Sequence, residues 1–203
     1  MLISERFSSG LSVHRRAAKV ERLEAGSSPV RAILACDSHI VSDRSIIIRK
    51  LEAADTAQFL AWRGWDEYTE RIAREHLRQN AEGQRVILVA LHGRTIVGTV
   101  QLLLNQDDLD LADGVTSGYL LALEVRDGFR RRGIATALFR ALEAEAAARG
   151  LRRLTLMVEP DNEPALRFYH KTGFTPFKER TDFWRDREYR VLCMEKPITV
   201  RKE

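Results

Sequence analysis

The segment from Leu123 to Thr136 constrains the fold of this chain more than any other, because a strand, a turn and a helix follow one another in it. The sequence reads Leu-Glu-Val-Arg-Asp-Gly-Phe-Arg-Arg-Arg-Gly-Ile-Ala-Thr. The helix begins directly after Gly133, and a helix N-terminus presents unpaired backbone N–H groups and a partial positive charge. The segment therefore predicts an anion site that is suited to a pyrophosphate.

Two common phosphate-binding loops do not fit this segment. A Walker loop needs a Gly-Lys-Ser/Thr run, and a dinucleotide-binding turn needs three glycines at fixed spacing. Neither pattern is present around Gly133. A run of arginines such as Arg130–Arg132 is usually a solvated turn, but the strand before it and the helix after it favour the binding interpretation.

Hydrophobic periodicity along the chain predicts a mixed α/β domain with the element order β-α-α-β-β-β-α-β-α-β-β. The predicted strands are Ile46–Ile48, Val86–Leu91, Thr95–Leu104, Tyr119–Val125, Leu154–Val158, Thr175–Glu179 and Tyr189–Met194. The predicted helices are Asp55–Trp62, Asp66–Gln79, Ile134–Arg149 and Asn162–Thr172. We expect Asp55 to cap the first helix, with Ala57, Leu60 and Ala61 turned inward.

The first 44 residues differ from the rest of the chain because they carry no sustained apolar period. Gly10 and the Gly26–Pro29 run interrupt them. The length of 203 residues allows one to two domains at roughly 150 residues each. We expect residues 1–44 to be a disordered extension, or alternatively not to belong to the native protein, and residues 45–203 to form one domain.

Charge and cysteine content limit the classes of protein. The chain has 33 basic and 29 acidic residues and no dense basic tail, which argues against a dedicated nucleic-acid-binding protein. Cys36 and Cys193 cannot form a disulfide framework and fit a reducing compartment, and we expect Cys193 to lie in the core. No apolar run reaches the roughly 18 residues of a membrane helix, and no apolar h-region follows Arg15, Arg16 and Lys19, so we expect neither a membrane span nor a signal peptide. We therefore expect a cytoplasmic protein without a nucleic-acid or membrane partner.

Neither the acidic residues nor the histidines predict a metal site. The stretch from Asn105 to Gly114 holds four aspartates but lacks the glycine and terminal glutamate of a calcium loop, so we expect a solvated acidic loop. The histidines are scattered without zinc-ligand spacing. They are His14, His39, His76, His92 and His170.

Two motifs together resemble one family. Arg130-Arg-Arg-Gly-Ile-Ala135 matches the Gln/Arg-x-x-Gly-x-Gly/Ala pyrophosphate loop of the GNAT superfamily of acetyl-CoA-dependent N-acetyltransferases. The segment from Asn162 to Phe174 resembles its Asn-x-x-Ala-x-x-x-Tyr-x-x-x-Gly-Phe motif. The resemblance covers about Ser45–Lys196 in motif and element order. It implies an α/β (α+β) fold with a mixed, mostly antiparallel central sheet, flanking helices and splayed strands 4 and 5.

The resemblance also implies which residues bind acetyl-CoA as a co-substrate, without a metal. Backbone N–H groups of the loop would hold the pyrophosphate, and the loop residues are Arg131, Arg132, Gly133, Ile134, Ala135 and Thr136. The side chains of Arg130 and Arg132 are further candidates. Leu123, Glu124 and Val125 would pair with the pantetheine arm, and an N–H near Leu123 would polarise the thioester carbonyl. Asn162 would contact the arm, act as a plain helix cap, or do both.

Tyr169 matches the usual general acid of the family. A phenol has a reference pKa of about 10, so it is protonated at neutral pH and can donate a proton to the departing thiolate. The alternative is that Tyr169 is a core residue like Phe168. The general base stays open, because Met157 stands where peptide-acetylating relatives often carry a glutamate. Glu124 is included with Tyr169 as a catalytic candidate, and Glu159 and Tyr119 are further possibilities for the base.

The resemblance implies an enzyme that transfers the acetyl group to a primary amine by direct attack in a ternary complex. The amine belongs to a small molecule or a peptide, and a homodimer through the last strands is possible. The residues expected to line the acceptor site are Trp62, Trp65, Asp66, Tyr68, Phe183, Trp184 and Asp186. These aromatic rings and carboxylates suit a cationic amine, unless the tryptophans only plug the sheet. The alternatives are a non-catalytic acyl-CoA sensor or scaffold on the same fold, and a nucleic-acid module that uses Arg130–Arg132.

Overall fold

A computed structural model describes residues 45–185 and 187–199 of the chain. The expectations for residues 1–44, which include Cys36, His14 and His39, and for Asp186 lie outside the described residues. The strands are β1 Ile46–Lys50, β2 Arg85–His92, β3 Thr95–Leu103, β4 Ser117–Val125, β5 Arg153–Val158, β6 Thr175–Trp184 and β7 Arg187–Pro197. The helices are α1 Thr56–Arg63, α2 Glu67–Ala81, α3 Ile134–Ala148 and α4 Glu163–Lys171, with short 3-10 helices at Ala53–Asp55 and Asp127–Phe129.

The strands form one mixed sheet in the order β1-β2-β3-β4-β5-β7-β6. Every neighbouring pair is antiparallel except β4 and β5, which run parallel. The predicted fold class and element order are therefore confirmed. None of the helices in the described part of the chain combines the length and the apolar character that a membrane span requires.

β4 and β5 separate soon after they begin, as the resemblance implies. Their ladder contains only the pairs from Ser117–Arg153 to Tyr119–Thr155. Beyond this point β4 continues along β3 to Val125, while β5 continues along β7 to Val158. The two strands thus open a wedge whose walls are the facing edges of β4 and β5.

A β-bulge interrupts β4 at the mouth of this wedge. In the β3–β4 register, Thr99 faces Glu124 and Gln101 faces Leu121, so β4 carries one extra residue between these pairs. Ala122 has a positive φ of 53° in this bulge. A non-glycine residue in this conformation costs about 1–3 kcal/mol, so the surrounding sheet has to hold it in place. The bulge changes the direction of the backbone immediately before Leu123.

The two faces of the sheet carry different layers. α3 and α4 pack on one face in the largest apolar cluster, which contains Leu123, Leu138 and Tyr169. α1 and α2 cover part of the other face. The acidic stretch after β3 lies beside them and is not merely solvated as expected, because Leu111 and Ala112 are fully buried against β4, β5 and β7. Apolar side chains within an acidic sequence decide this packing.

The first helix differs from its prediction in cap and in register. Asp55 does not cap α1; its carboxylate accepts from Glu52 N–H at 2.8 Å and pairs with Arg49 at 2.6 Å. The buried residues of α1 are Phe59 and Arg63. The three positions expected to turn inward behave differently: Ala57 and Ala61 are exposed, and Leu60 is half-buried. The bulky ring of Phe59 has the most surface to bury, and it sets which side of the helix meets the sheet.

Candidate active site

A cleft of about 1190 Å³ opens along the edge of β4 between the turn before α3 and the start of α4. Its lining includes nearly all the residues that the sequence assigned to the cofactor. They are Leu123, Val125, Arg130, Arg131, Gly133, Ile134, Ala135, Thr136 and Asn162. Glu124 and Trp62 also line it. The structure thus brings residues from two separate motifs and the end of β4 into one site.

The turn before α3 lines the cleft, and several of its backbone N–H groups have no backbone acceptor among the described residues. Arg131 and Gly133 have positive φ values of 63° and 82°, and Gly133 is the N-cap of α3. Within the described residues, no backbone acceptor is bonded to the N–H groups of Arg131 or of Gly133 through Thr136. Free N–H groups at a helix N-terminus bind anions such as a pyrophosphate.

The three consecutive arginines have different surroundings. Arg130 Nε donates to the Val125 carbonyl at 3.1 Å, and its guanidinium pairs with Asp127 at 2.6 Å. Arg130 therefore lines the cleft with a side chain that already has partners. The guanidinium of Arg132 lies 5.2 Å from the centre of the Phe129 ring, and Arg132 is not among the lining residues. Arg131 lines the cleft at the position where the backbone turns.

Asn162 combines both roles that the sequence left open, because it caps α4 and also lines the cleft. Its side-chain oxygen accepts from Ala165 N–H at 3.3 Å. This bond orients the amide, which leaves its NH₂ group as a donor.

Tyr169 is buried at the inner end of α4, with 4% of its surface exposed. Its ring packs edge-on against Phe168 and Phe174, with centroids 5.6 Å away in both cases. Burial, and to a smaller extent the charge of Glu124, raise the pKa of Tyr169 above its ordinary value. Tyr169 thus keeps its proton over the whole physiological range and lies within the electrostatic reach of Glu124.

Glu124 is a buried carboxylate with two partners on α1. Its Oε1 atom is 2.6 Å from Arg63 Nη1, and its Oε2 atom accepts from Trp62 Nε1 at 3.2 Å. Arg63 is a site residue that the sequence analysis missed. A glutamate in an otherwise apolar strand sequence indicates that a cationic side chain lies nearby, but the sequence does not identify that side chain. A role of Glu124 as the base would require it to give up one of these contacts.

The Arg63–Glu124 pair should contribute strongly to stability, because only 9% and 3% of the two side chains are exposed. Arg63→Met leaves a buried carboxylate without this cation, and we expect a loss of about 3–5 kcal/mol in the free energy of unfolding. Urea denaturation measures it. The matched control is Arg74→Met, which removes an exposed ion pair with Glu70 and should cost less than about 1 kcal/mol. Equal losses in the two variants would show that burial adds nothing to the pair.

Expected acceptor residues from the start of α2 and from the last hairpin meet in space. The rings of Tyr68 and Trp184 are in edge contact at 5.5 Å, and Asp66 pairs with Arg185. β6 and β7 are longer than predicted, which places Trp184 within a strand, where it is buried.

Other predicted acceptor residues have separate positions. Trp65 and Phe183 are 55% and 60% exposed and do not plug the sheet. The indole N–H of Trp62 donates to Glu124, and the guanidinium of Arg126 lies 4.9 Å from the centre of the Trp62 ring.

The remaining candidates for the base lie away from the cleft lining. Tyr119 is buried on β4, and this burial is the main cause that raises the pKa of its phenol. Met157 is buried on β5, and Glu159 is half-buried just after the end of that strand. Cys193 is buried in β7, and burial raises the pKa of its thiol, as expected for a core residue.

A buried polar cluster under α2 was not foreseen. Arg85 donates to the side-chain oxygens of Gln79 and Gln101 at 2.9 and 2.7 Å. His76 Nδ1 and Gln101 Nε2 are buried without a hydrogen-bond partner among the described residues. In the same described part of the chain, no group of three or more His, Cys, Asp or Glu side chains could hold a metal ion.

Comparison with known proteins gives an independent assignment for most of this domain. A family model described as "Acetyltransferase (GNAT) family" matches residues 49–174. An uncharacterized N-acetyltransferase of Mycobacterium bovis is 40% identical over 91 residues, which are 45% of this chain and 53% of that protein. N-alpha-acetyltransferase 30 of Schizosaccharomyces pombe is 37% identical over 70 residues, which are 34% of this chain and 47% of that protein. The matches span about half the length of these curated relatives.

The fold is also found among solved structures. The PaiA N-acetyltransferase from Thermoplasma acidophilum, crystallised in complex with coenzyme A, is similar with a TM-score of 0.56 and 22% identity. The match covers 75% of this chain and 99% of that chain. At this identity the likeness demonstrates a shared fold.

Proposed function

Since the chain belongs to the GNAT acetyltransferase family, we propose that it is an acetyl-CoA-dependent N-acetyltransferase that acts on a primary amine. The observation that carries the proposal is the cleft, in which an anion site adjoins an open strand edge. The free N–H groups before α3 suit the pyrophosphate, and among the described residues β4 beyond Tyr119 has no partner strand on its β5 side. These features fit the two chemically distinct parts of coenzyme A.

In this proposal the chain binds and orients the reactants. Acetyl-CoA, when bound, supplies a thioester as the acetyl donor. The phosphates are bound by the backbone N–H groups of Arg131 and of Gly133 through Thr136. The pantetheine arm forms hydrogen bonds with the backbone of Leu123 and Val125. Asn162, at the start of α4, contacts the same arm from the other side. Holding the amine beside the thioester in one ternary complex lowers the activation free energy of acetyl transfer by roughly 7–11 kcal/mol.

We propose that one residue donates the proton and that another stabilises the developing negative charge. Tyr169 donates a proton to the leaving thiolate, and its burial keeps that proton available. The N–H of Leu123, which follows the bulge at Ala122, bonds to the thioester oxygen as negative charge develops on it. Glu124 lies on the side from which the amine arrives. Because its oxygens are bonded to Arg63 and Trp62, we propose that it orients the amine and is not a strong base.

An acetyl-CoA turnover screen over amine classes, read by the release of free thiol, tests the function. The classes are peptide N-termini, lysine side chains, amino acids, polyamines and aminoglycosides. We expect at least one class to be acetylated. Binding of coenzyme A without turnover on any of them would instead indicate an acyl-CoA sensor. Strongly salt-dependent DNA binding that coenzyme A does not compete with would indicate a nucleic-acid module.

Two further proposals concern the compartment and the oligomeric state of the protein. We place it in the cytoplasm, and the described cysteine, Cys193, is a free buried thiol that suits this compartment. We also propose a homodimer through the last strands. Sedimentation at several concentrations tests it, and a monomer at all of them would contradict it.

A further inference from the structure

The face of the sheet under α1 and α2 is where an amine would reach Glu124, and we call it the acceptor face. The carboxylates along it already have cationic partners. Glu124 pairs with Arg63 at 2.6 Å, and Asp66 pairs with Arg185. Asp182 lies 3.8 Å from Arg180. A polycationic acceptor therefore finds these carboxylates neutralised, contrary to what the sequence suggested.

Arg85 adds a buried positive charge to this face. It is 2% exposed, and its guanidinium donates to the neutral side-chain oxygens of Gln79 and Gln101. No carboxylate of the described residues lies at ion-pair distance from it. Burial, followed by the charge of Arg63, lowers the pKa of Arg85 to about 9, so it is still cationic near neutral pH. The charge of Glu75 acts on Arg85 only from beyond ion-pair distance, and the buried guanidinium in turn acts over a long range because little water screens it.

Arg71 carries a second uncompensated charge at the mouth of the acceptor face. It is exposed on α2, and its guanidinium lies 5.5 Å from the centre of the Tyr68 ring. The guanidinium of Arg185 lies 4.8 Å from the same ring. Arg185 has Asp66 as its partner, whereas Arg71 has no ion pair among the described residues. A guanidinium without a partner beside an aromatic ring binds a carboxylate well.

We propose that the acceptor is the N-terminus of an acidic peptide, with a carboxylate near its amine held by Arg71 in the positive field of the acceptor face. The inference rests on the proposed function and names its substrate class. Arg63 contacts Glu124 at the end of α1, and Arg71 lies on the next helix, one turn after its first residue Glu67. A peptide, at roughly 3.3 Å per residue, carries a side-chain carboxylate farther from its N-terminal amine than a free amino acid carries its own α-carboxylate, so a peptide suits a cation on a different helix from the partner of Glu124.

The same charges help the chemistry. The nucleophile must be the neutral amine, and nearby positive charge disfavours the protonated form. The field of Arg85, which has no direct ion pair among the described residues, therefore favours loss of the ammonium proton to water before attack. This reduces the need for a dedicated base, a role in which Glu124 is hindered by its own ion pair.

The test compares short peptides that share alanine at the N-terminus and differ next to it. The series contains Ala-Glu-Glu, Ala-Gln-Gln and Ala-Arg-Arg sequences, with free glutamate and spermidine as further acceptors. We expect kcat/KM to be about tenfold or more higher for the Ala-Glu-Glu peptide than for the neutral one, and lowest for the basic one. Added salt should reduce the difference, since it screens the field.

Two variants separate recognition from general damage. Arg71→Gln should lower kcat/KM for the acidic peptide to near the value of the neutral peptide, mainly through KM. Arg74→Gln, on the same helix and also exposed, should keep the preference.

Each other outcome has a definite meaning. Equal or better use of the neutral or basic peptide or of spermidine overturns the inference and leaves the acetyltransferase proposal standing. Free glutamate as the best acceptor overturns the peptide source, and a preference that survives Arg71→Gln overturns the role of Arg71. Absence of turnover with every acceptor overturns the proposed function and this inference together.

Discussion

Replacing Tyr169 with phenylalanine is expected to lower kcat by about 100-fold or more, while the Kd for coenzyme A stays nearly unchanged. The phenol is the group proposed to protonate the departing thiolate, and its ring is buried against Phe168 and Phe174. Phenylalanine keeps the ring and its packing, so the variant removes little except the hydroxyl.

Steady-state kinetics with saturating acetyl-CoA measure this effect. A thermal melt provides the control, because Tyr169→Phe should change Tm by only a few degrees if the ring packing is retained. The pH profile adds a second readout: because burial keeps Tyr169 protonated over the physiological range, the loss in kcat should be similar at every pH within it. An unaltered kcat in a stable variant would mean that Tyr169 is a core residue and that the thiolate leaves without this acid.

Replacing Gly133 with aspartate is expected to weaken coenzyme A binding by about 100-fold or more, through two effects of similar size. Gly133 has a φ of 82°, a conformation that costs a side-chain-bearing residue about 1–2 kcal/mol. The new carboxylate would also lie among the N–H groups proposed to bind the pyrophosphate, where a negative charge repels phosphate.

Gly128→Asp is the matched control for this variant, because it adds the same charge to the same turn. A side chain at Gly128 meets nothing within 4 Å, and Gly128 is not among the cleft-lining residues. Isothermal titration with coenzyme A should show a large loss only for Gly133→Asp. Pantetheine, which lacks the pyrophosphate, should bind both variants similarly. Equal losses for the two variants would show that the site responds to net charge and not to the backbone at Gly133.

Much of the fold and of the cofactor site could be predicted from local sequence. Strand and helix periods gave the element order, and the two motifs identified nearly every cleft-lining residue assigned to the cofactor. These features are local, because a helix N-terminus displays its N–H groups wherever the helix begins. Arg132 differs from the other assigned residues, because its side chain lies over Phe129 and not in the cleft lining. The rotation of a side chain out of a turn depends on its neighbours in space.

The acceptor face could not be predicted in the same way. The sequence analysis chose aromatic residues and carboxylates near the α1–α2 junction and the last hairpin, and it read them as a site for a cation. Arg63 was missed because Phe59 rotates α1 away from its expected register. Arg85 was missed because a charged residue at the start of a strand is ordinarily solvated. The folded chain gives Glu124, Asp66 and Asp182 cationic partners that the sequence did not indicate.

The sequence by itself determined the strand–turn–helix that can bind an anion, the mixed sheet and the family resemblance, since these follow from the order of neighbouring residues. Only the tertiary structure decided that Glu124 is neutralised by Arg63, that Tyr169 is buried within reach of Glu124, and that Arg71 and Arg85 are left uncompensated. The physical reason is that burial and charge compensation depend on distance through space, which is set when helices from one part of the chain pack on strands from another.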